Sequence, residues 1–193
     1  MKRSISLVFS SVLVLLSFAF SVPSFASDEA YNDAITNFKK ADESRSLFNT
    51  AYGYAIFPSV AKGGIGIGAA YGNGRVFQGD NYMGDSTLTQ LSIGFQLGGQ
   101  AYSEIIFFKD AKAYNEFTSG SFEFSAQASA VAINLGANAQ VGTTGNSASA
   151  GQAGSNHAAA AAYINGMAIF TAAKGGLMFE AALAGQSFTF DGK

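Results

Sequence analysis

The chain of 193 residues contains no cysteine, one histidine and two prolines. The lack of cysteine excludes a disulfide framework, a lipid-modified cysteine and thiol chemistry. The single histidine, His157, lies in a stretch rich in Gly, Ser and Ala, where a solvated loop residue is the favoured interpretation. One histidine without cysteine partners gives too few ligands for a zinc site. We therefore predict no catalytic residues, no metal and no cofactor, and a domain that holds together by packing alone.

Charged residues are also scarce, at 12% of the chain. Residues 1–26 combine Lys2 and Arg3 with an apolar run at 7–20 and small residues at 24 and 26, which is typical of a secretory signal peptide. The alternative, a retained membrane anchor, is disfavoured because the run is short for a bilayer span. Without Lys2 and Arg3, nine basic side chains remain against thirteen acidic ones, a net charge of −4.

This acidic balance disfavours nucleic acid as a partner and general attraction to anionic membranes. Export without disulfides fits a bacterial envelope. We expect a periplasmic or extracellular protein that is soluble once the signal peptide is removed.

Two stretches of the chain share one plan: residues 53–77 (GYAIFPSVAKGGIGIGAAYGNGRVF) and residues 166–190 (GMAIFTAAKGGLMFEAALAGQSFTF). Each has an apolar run, a Lys-Gly-Gly corner, an alternating strand, a glycine turn and a short aromatic return. We interpret them as related β-units that frame one domain, residues 27–193, with the closing unit paired beside the opening one. Residues 136–160 are poor in large apolar side chains and predict a flexible loop.

Two helices are predicted. The first runs from Asp28 to about Ala51, since apolar residues recur at three- and four-residue steps and the acidic start suits the helix dipole. We favour packing of this stripe on the domain over a membrane-surface helix, whose polar face would hold more Lys and Arg. The second is short, from its N-cap Asp110 to Phe117, with aromatic residues facing inward and Gly120 at its end.

Alternation of bulky and small residues predicts strands elsewhere. Pro58 requires a bulge or an edge position in the first strand. Residues 71–75 (YGNGR) predict a tight hairpin turn, because Asn-Gly accepts positive φ angles, and residues 79–86 predict a polar loop. Glycine on one strand face lets another backbone approach or lets the sheet bend. The predicted fold is α+β but mainly β, a curved antiparallel sheet or small barrel-like sandwich with an N-terminal amphipathic helix and one short internal helix.

Five ordered blocks resemble the SYLF family of lipid-binding domains, also described through its yeast members as an actin-binding domain. The blocks are YAIFPSVAKGG (54–64) with the following Gly-x-Gly strand, SIGFQLGGQ (92–100), SEIIFF (103–108), FEF with ASA (122–124 and 128–130), and KGGLM (174–178). The likeness covers about residues 45–190. It marks as structural motif residues Phe57, Pro58, Gly63, Gly64, Glu104, Gly175 and Gly176.

The resemblance implies a non-enzymatic binding domain. Eukaryotic members are associated with actin and with phosphoinositides, aided by an amphipathic N-terminal helix, and bacterial members are mostly exported. We expect lipid binding at the bacterial envelope, through an anionic head group of phosphoinositide type or an acyl chain. The alternative is a structural or protein-interaction module that meets another envelope protein. The candidate lipid contacts are Lys62, Lys174 and Lys109 for head groups and Tyr71 and Phe77 as exposed aromatics.

Three glutamates that interrupt strands, Glu104, Glu123 and Glu180, are the remaining candidates for chemistry. A buried carboxylate needs a cationic or hydrogen-bonding partner, and Lys62 and Lys174 are the natural candidates. We favour internal ion pairs or solvent-facing positions over an acid/base pair. A hydrolase would require Glu104 to converge with Glu123 or Glu180 in an open cleft.

Overall fold

The computed structural model of the protein describes residues 26–65, 67–93, 98–124, 133–135, 163–174 and 185–193. Several predicted features lie outside these residues. They are residues 1–25 of the signal peptide, the loop at 136–160, His157, Gly175, Gly176 and Glu180.

Three short helices take the place of the single predicted N-terminal helix: α1 (Asp28–Lys40), α2 (Asp42–Arg45) and α3 (Leu47–Thr50). The prediction of its start is confirmed, and the Ser27 hydroxyl caps α1 by accepting from the Ala30 N–H at 3.3 Å. The predicted length is wrong because Ala41 is extended (ψ 128°). Ser44 donates to the Phe38 carbonyl at 2.6 Å, so a side chain satisfies the end of α1 where the chain turns.

The described strands form one sheet, as the predicted mainly β fold requires. They are β1 (Gly53–Ile65), β2 (Ile67–Gln78), β3 (Asn81–Ile93), β4 (Gly98–Phe108), β5 (Ser121–Glu123), β6 (Ile133–Leu135), β7 (Met167–Ala173) and β8 (Gln186–Gly192). Their order is β5-β8-β3-β2-β1-β4-β7-β6. Neighbours pair antiparallel, with a parallel pairing between β6 and β7.

The sheet curls strongly, as a contact between distant strands shows. Three strands separate β8 from β4 in the sheet order, which would hold them about 19 Å apart in a flat sheet. Nevertheless, the Gln186 Nε2 of β8 donates to the Tyr102 hydroxyl and to Glu104 Oε2 on β4, both at 3.1 Å. We call the concave face that holds this contact the inner face, and the opposite one the outer face.

Pro58 is accommodated by a bulge in the central strand β1, as predicted. The pairing register shifts between Ile56 and Ser59 toward β2, and between Phe57 and Val60 toward β4. Gly74 of β2 leaves the space that Phe57 fills, since a Cβ there would lie 2.5 Å from the Phe57 ring. Glycine on the inner face therefore serves close packing, as the sequence indicated.

The predicted hairpin turn at residues 71–75 is wrong, because these residues lie in the middle of β2 and pair on both sides. The chain reverses instead at Gly79 and Asp80, between β2 and β3. The predicted polar loop at 79–86 is likewise mostly strand, since β3 begins at Asn81. Asn-Gly is compatible with a turn but does not require one when both neighbouring strands supply hydrogen bonds.

The two similar units do not pair side by side as predicted. In the second unit β7 pairs with β4 and β8 pairs with β3, so its two strands flank the first unit on opposite sides. Lys62 and Lys174, the first residues of the two Lys-Gly-Gly segments, still lie on either side of β4. Lys62 is opposite Gln100, and the Lys174 N–H donates to the adjacent Ala101 carbonyl at 2.9 Å.

Each face of the sheet has its own apolar core. On the inner face, α4 (Ala111–Phe117) packs against the strands, and its Phe117 ring lies 5.0 Å from Phe108 and 5.1 Å from Phe188. The predictions for α4 are confirmed, including the Asp110 cap on the Ala113 N–H at 3.0 Å. At one end of the outer face, the N-terminal helices cover strand residues such as Tyr54 and Phe107. Among the described residues, no helix has the length and hydrophobicity needed to cross a bilayer.

Candidate functional site

Large apolar side chains are exposed at the end of the outer face that the helices leave bare. Leu91 is 76% exposed, Ile67 68% and Tyr71 40%. Ala69, also exposed, is opposite Leu91 across β2 and β3, and Tyr71 is opposite Thr89. We call these four residues, Ile67, Ala69, Tyr71 and Leu91, the tip patch, because they lie close to the hairpin that joins β1 and β2.

A groove of about 620 Å³ runs along the tip patch. Ala69, Tyr71 and Leu91 line it on the apolar side. Thr89, Ser187 and Glu123 line it on the polar side, from strands β3, β8 and β5. The arrangement offers an apolar surface bordered by hydrogen-bonding groups, which is the composition of a binding groove.

The polarity of the outer face changes along the strands. The row that starts at Tyr71 of the tip patch continues with Thr89, Ser187 and Glu123, and the next row holds Asn73, Thr87, Thr189 and Ser121. The following row holds charged residues, Arg75, Asp85 and Asp191. The outer face is therefore apolar at the hairpin end, rich in hydroxyl groups in the middle and charged beside the helices.

The two aromatic residues expected to contact lipid lie at different ends of β2. Tyr71 belongs to the tip patch, and its hydroxyl donates to Asn73 Oδ1 at 2.9 Å. Phe77 is half-buried below the helices, stacked on Tyr54 with 5.0 Å between ring centroids. The expectation that Phe77 is an exposed aromatic is wrong, because the N-terminal helices cover that end of the strand.

The three lysines expected to contact head groups also lie apart. Lys62 is 7% exposed and lies on the inner face, so a flat surface does not reach it. Lys174 and Lys109 are exposed, but they lie near opposite ends of β4, about 26 Å apart at 3.3 Å per residue. The five predicted lipid contacts do not form one surface.

Lys109 lies in a polar cleft of about 420 Å³ beside α4. Lys112 adds a second positive charge, and Asp110 and Glu116 add two negative ones. The Asp110 carboxylate is already engaged in capping α4. Because the charges of the cleft balance, it offers less attraction to an anion than Lys109 alone would suggest.

Glu104 is fully buried on the inner face, and its partner is Gln186, not Lys62 or Lys174 as the sequence favoured. Burial raises the pKa of the Glu104 carboxyl to about 8, and the Gln186 hydrogen bond offsets a part of that rise. Burial also raises the pKa of the Tyr102 phenol, which shares Gln186. The Glu104 Oε1 atom has no hydrogen-bond partner among the described residues. Glu104 is thus mostly neutral near pH 7 and closed off from solvent.

Glu104 and Glu123 do not converge. Glu123 is exposed and lies opposite Ser187 on the outer face, whereas Glu104 lies inside the curl of the sheet. The Glu104–Glu123 pair therefore does not provide the open acid/base site that a hydrolase requires. In the described part of the chain, no three His, Cys, Asp or Glu side chains converge as metal ligands would.

Sequence reasoning missed Ile67 and Leu91 as exposed residues and Gln186 as the partner of Glu104. The alternation around Ile67 and Leu91 indicated one bulky and one bare strand face, but not which of them is covered. Gln186 gave no local signal, since it lies 82 positions from Glu104 in the chain.

Comparison with known proteins adds one match. A family model described as "Ysc84: Las17-binding protein actin regulator" matches residues 89–193, more than half of the chain. The matched span runs from β3 to β8 and includes four of the five sequence blocks, though not the one at 54–64. Among curated proteins, none matches the chain.

Proposed function

The chain belongs to the Ysc84 family, which is the SYLF family of the sequence blocks, and from this premise we propose a lipid-binding, non-enzymatic module exported to the bacterial envelope. The family supports a binding domain as the starting point. Export is proposed from residues 1–26, whose basic start, apolar run and small residues have the pattern of a signal peptide. The lipid contact is proposed from the tip patch.

The continuous exposure of the tip patch is the observation that carries this proposal. Single exposed apolar residues are ordinary on proteins, but contiguous ones mark interaction sites. Leu91 and Ala69 are opposite each other on paired strands, and Ile67 and Tyr71 follow on the same face. Moving a Leu and an Ile side chain fully from water into an acyl region contributes about 3–6 kcal/mol.

The polarity gradient of the outer face supports insertion with the hairpin end first. The two apolar rows, at Ile67 and at Ala69 with Leu91, span about 7 Å along β2, close to the depth that interfacial segments reach. Tyr71 follows at the level where tyrosine is enriched at membrane interfaces. The row of Thr and Asn side chains behind it suits the head-group region.

The N-terminal helix is a weaker candidate for the lipid contact in this chain. The resemblance implied a role for an amphipathic helix at membranes. However, the apolar stripe of α1, with Tyr31, Ala34 and Phe38, is buried against the sheet. A helix that already uses its apolar face for packing has none left for the bilayer.

Vesicle flotation tests the proposal. The double variant Ile67→Ser/Leu91→Ser is expected to reduce vesicle affinity at least about tenfold, because it removes most of the exposed apolar surface. The matched control is Ile164→Ser, which changes another exposed isoleucine, 37% exposed, outside the tip patch. We expect the control to bind like the wild type.

One outcome would overturn the lipid proposal, and a further result would then support its alternative. Wild-type protein that floats with no vesicle, neutral or anionic, would remove the lipid ligand. Cross-linking to an envelope protein that is lost in the double variant would then favour the alternative, a protein-interaction module that uses the same patch.

A further inference from the structure

Glu123 closes one side of the groove beside the tip patch. It is opposite Ser187 of β8, Ser187 is opposite Thr89 of β3, and Thr89 is opposite Tyr71 of β2. The four side chains form one row across four neighbouring strands, about 14 Å wide at the usual strand spacing. All four residues line the groove.

The one charged side chain of this row, Glu123, is acidic. Among the described residues that line the groove, Glu123 alone carries a charged side chain, and it is exposed. The next row, Asn73, Thr87, Thr189 and Ser121, is uncharged. Arg75 lies one row further, and its guanidinium is 2.7 Å from the Asp28 carboxylate, which offsets its charge.

The polar groups of the row also favour a ligand that donates hydrogen bonds. The Glu123 carboxylate and the hydroxyl oxygens of Ser187 and Thr89 all accept hydrogen bonds. A primary ammonium group supplies up to three N–H donors and a positive charge. A quaternary ammonium supplies the charge but no donor, and a phosphate or glycerol head group of net negative charge is repelled by the carboxylate.

We infer that the groove receives a lipid whose head group carries a primary amine, of the phosphatidylethanolamine type, in preference to an anionic lipid. This inference rests on the proposed lipid-binding function and narrows its ligand. It replaces the anionic head group that the resemblance suggested. The tip patch supplies the apolar contact with the bilayer, and Glu123 selects the head group at its edge.

Vesicles of three compositions test the inference: phosphatidylcholine alone, phosphatidylcholine with phosphatidylethanolamine, and phosphatidylcholine with phosphatidylglycerol. The protein is expressed from its full sequence and purified from the cell envelope, and vesicle diameter and ionic strength are held constant. We expect the tightest binding to the ethanolamine vesicles and the weakest to the glycerol vesicles. One charge near an anionic surface changes affinity about fivefold, which sets the expected size of the difference.

Glu123→Gln separates the head-group effect from general adhesion. It is expected to raise affinity for the glycerol vesicles about fivefold and to remove the preference for ethanolamine, because the charge is lost at nearly constant shape. The control Glu116→Gln makes the same change at an exposed residue of α4 outside the groove and is expected to leave both affinities unchanged. Because both residues are exposed, unfolding curves of the variants should overlay that of the wild type.

The inference and the proposed function fail in different ways. Equal or tighter binding to the glycerol vesicles, or a Glu123→Gln variant with an unchanged preference, would refute the amine selection and leave lipid binding standing. Absence of binding to all three vesicle types would refute the lipid-binding function itself.

Discussion

Phe77 and Ile67 lie ten residues apart on the same face of β2 and have opposite surroundings. Phe77 stacks on Tyr54 below the helices, whereas Ile67 is 68% exposed. The difference in exposure follows from the different lengths of α1 and β2. The helix α1 is about 20 Å long at 1.5 Å per residue, and β2 is about 40 Å long at 3.3 Å per residue. A helical layer of that size covers one end of the strand and leaves the other bare.

The two ends of the outer face therefore use apolar side chains for different purposes. At the covered end, Phe38, Tyr54 and Phe107 exclude water and hold the helices on the sheet. At the bare end, Ile67 and Leu91 contribute little to folding because they remain in water. Truncation at the first end should destabilise the folded protein, and truncation at the second should change binding alone.

The largest expected effect is at the covered end. Phe38→Ala should lower the free energy of unfolding by about 3–5 kcal/mol, since Phe38 is fully buried between α1 and the sheet. Leu91→Ala should change it by less than about 0.5 kcal/mol. Urea denaturation of the two variants measures the contrast. Similar losses for both would mean that the bare end is covered in solution.

The pH dependence of stability compares the buried carboxyl of Glu104 with the exposed carboxyl of Glu123. The pKa of Glu104 is about 8 in the folded protein, above its ordinary value of 4.5 in the unfolded chain. Between these values the unfolded chain loses the proton and the folded protein keeps it. Stability should therefore fall as pH rises from 4.5 to 8, by at most about 1.4 kcal/mol per pH unit, and level off above pH 8.

Glu104→Gln should flatten this part of the profile, because the amide has a similar shape and does not titrate. Glu123→Gln, at the exposed end, should keep the wild-type slope. Thermal unfolding at several pH values measures both variants. A wild-type slope that persists in Glu104→Gln would assign the proton uptake to another group.

A smaller loss of stability than that of Phe38→Ala is expected at the boundary between the two ends. The Arg75 guanidinium is 2.7 Å from the Asp28 carboxylate and 4.2 Å from the centre of the Tyr31 ring, so it fastens α1 to β2. Arg75→Ala should cost about 1 kcal/mol in unfolding free energy, because the contacts are partly exposed to solvent.

A double-mutant cycle of Arg75→Ala with Asp28→Ala isolates the ion pair, and its coupling energy should decrease at high salt. A coupling energy of zero at low salt would show that Arg75 acts through the Tyr31 ring alone.

Local sequence signals predicted the features whose causes are local. Asp110 predicted α4, Pro58 predicted a bulge or an edge position, of which the bulge is present, and the early apolar stripe predicted a helix that packs on the domain. The errors arose where a local signal had two solutions. The YGNGR stretch (71–75) is compatible with a turn as well as with a strand. It forms a strand because β1 and β3 pair with it on both sides.

The sequence by itself determined that the protein is mainly β, that glycines line one strand face and that bulky residues line the other. It did not determine which face of β2 and β3 is covered, because an alternation of period two reads the same from either side. The curl of the sheet decided this. It turned the glycines of β2 inward, where Phe57 fills the space beside Gly74 and Val60 the space beside Gly72, and it brought Gln186 to Glu104 across 82 positions of the chain. The N-terminal helices then covered one end of the outer face and left the tip patch in water.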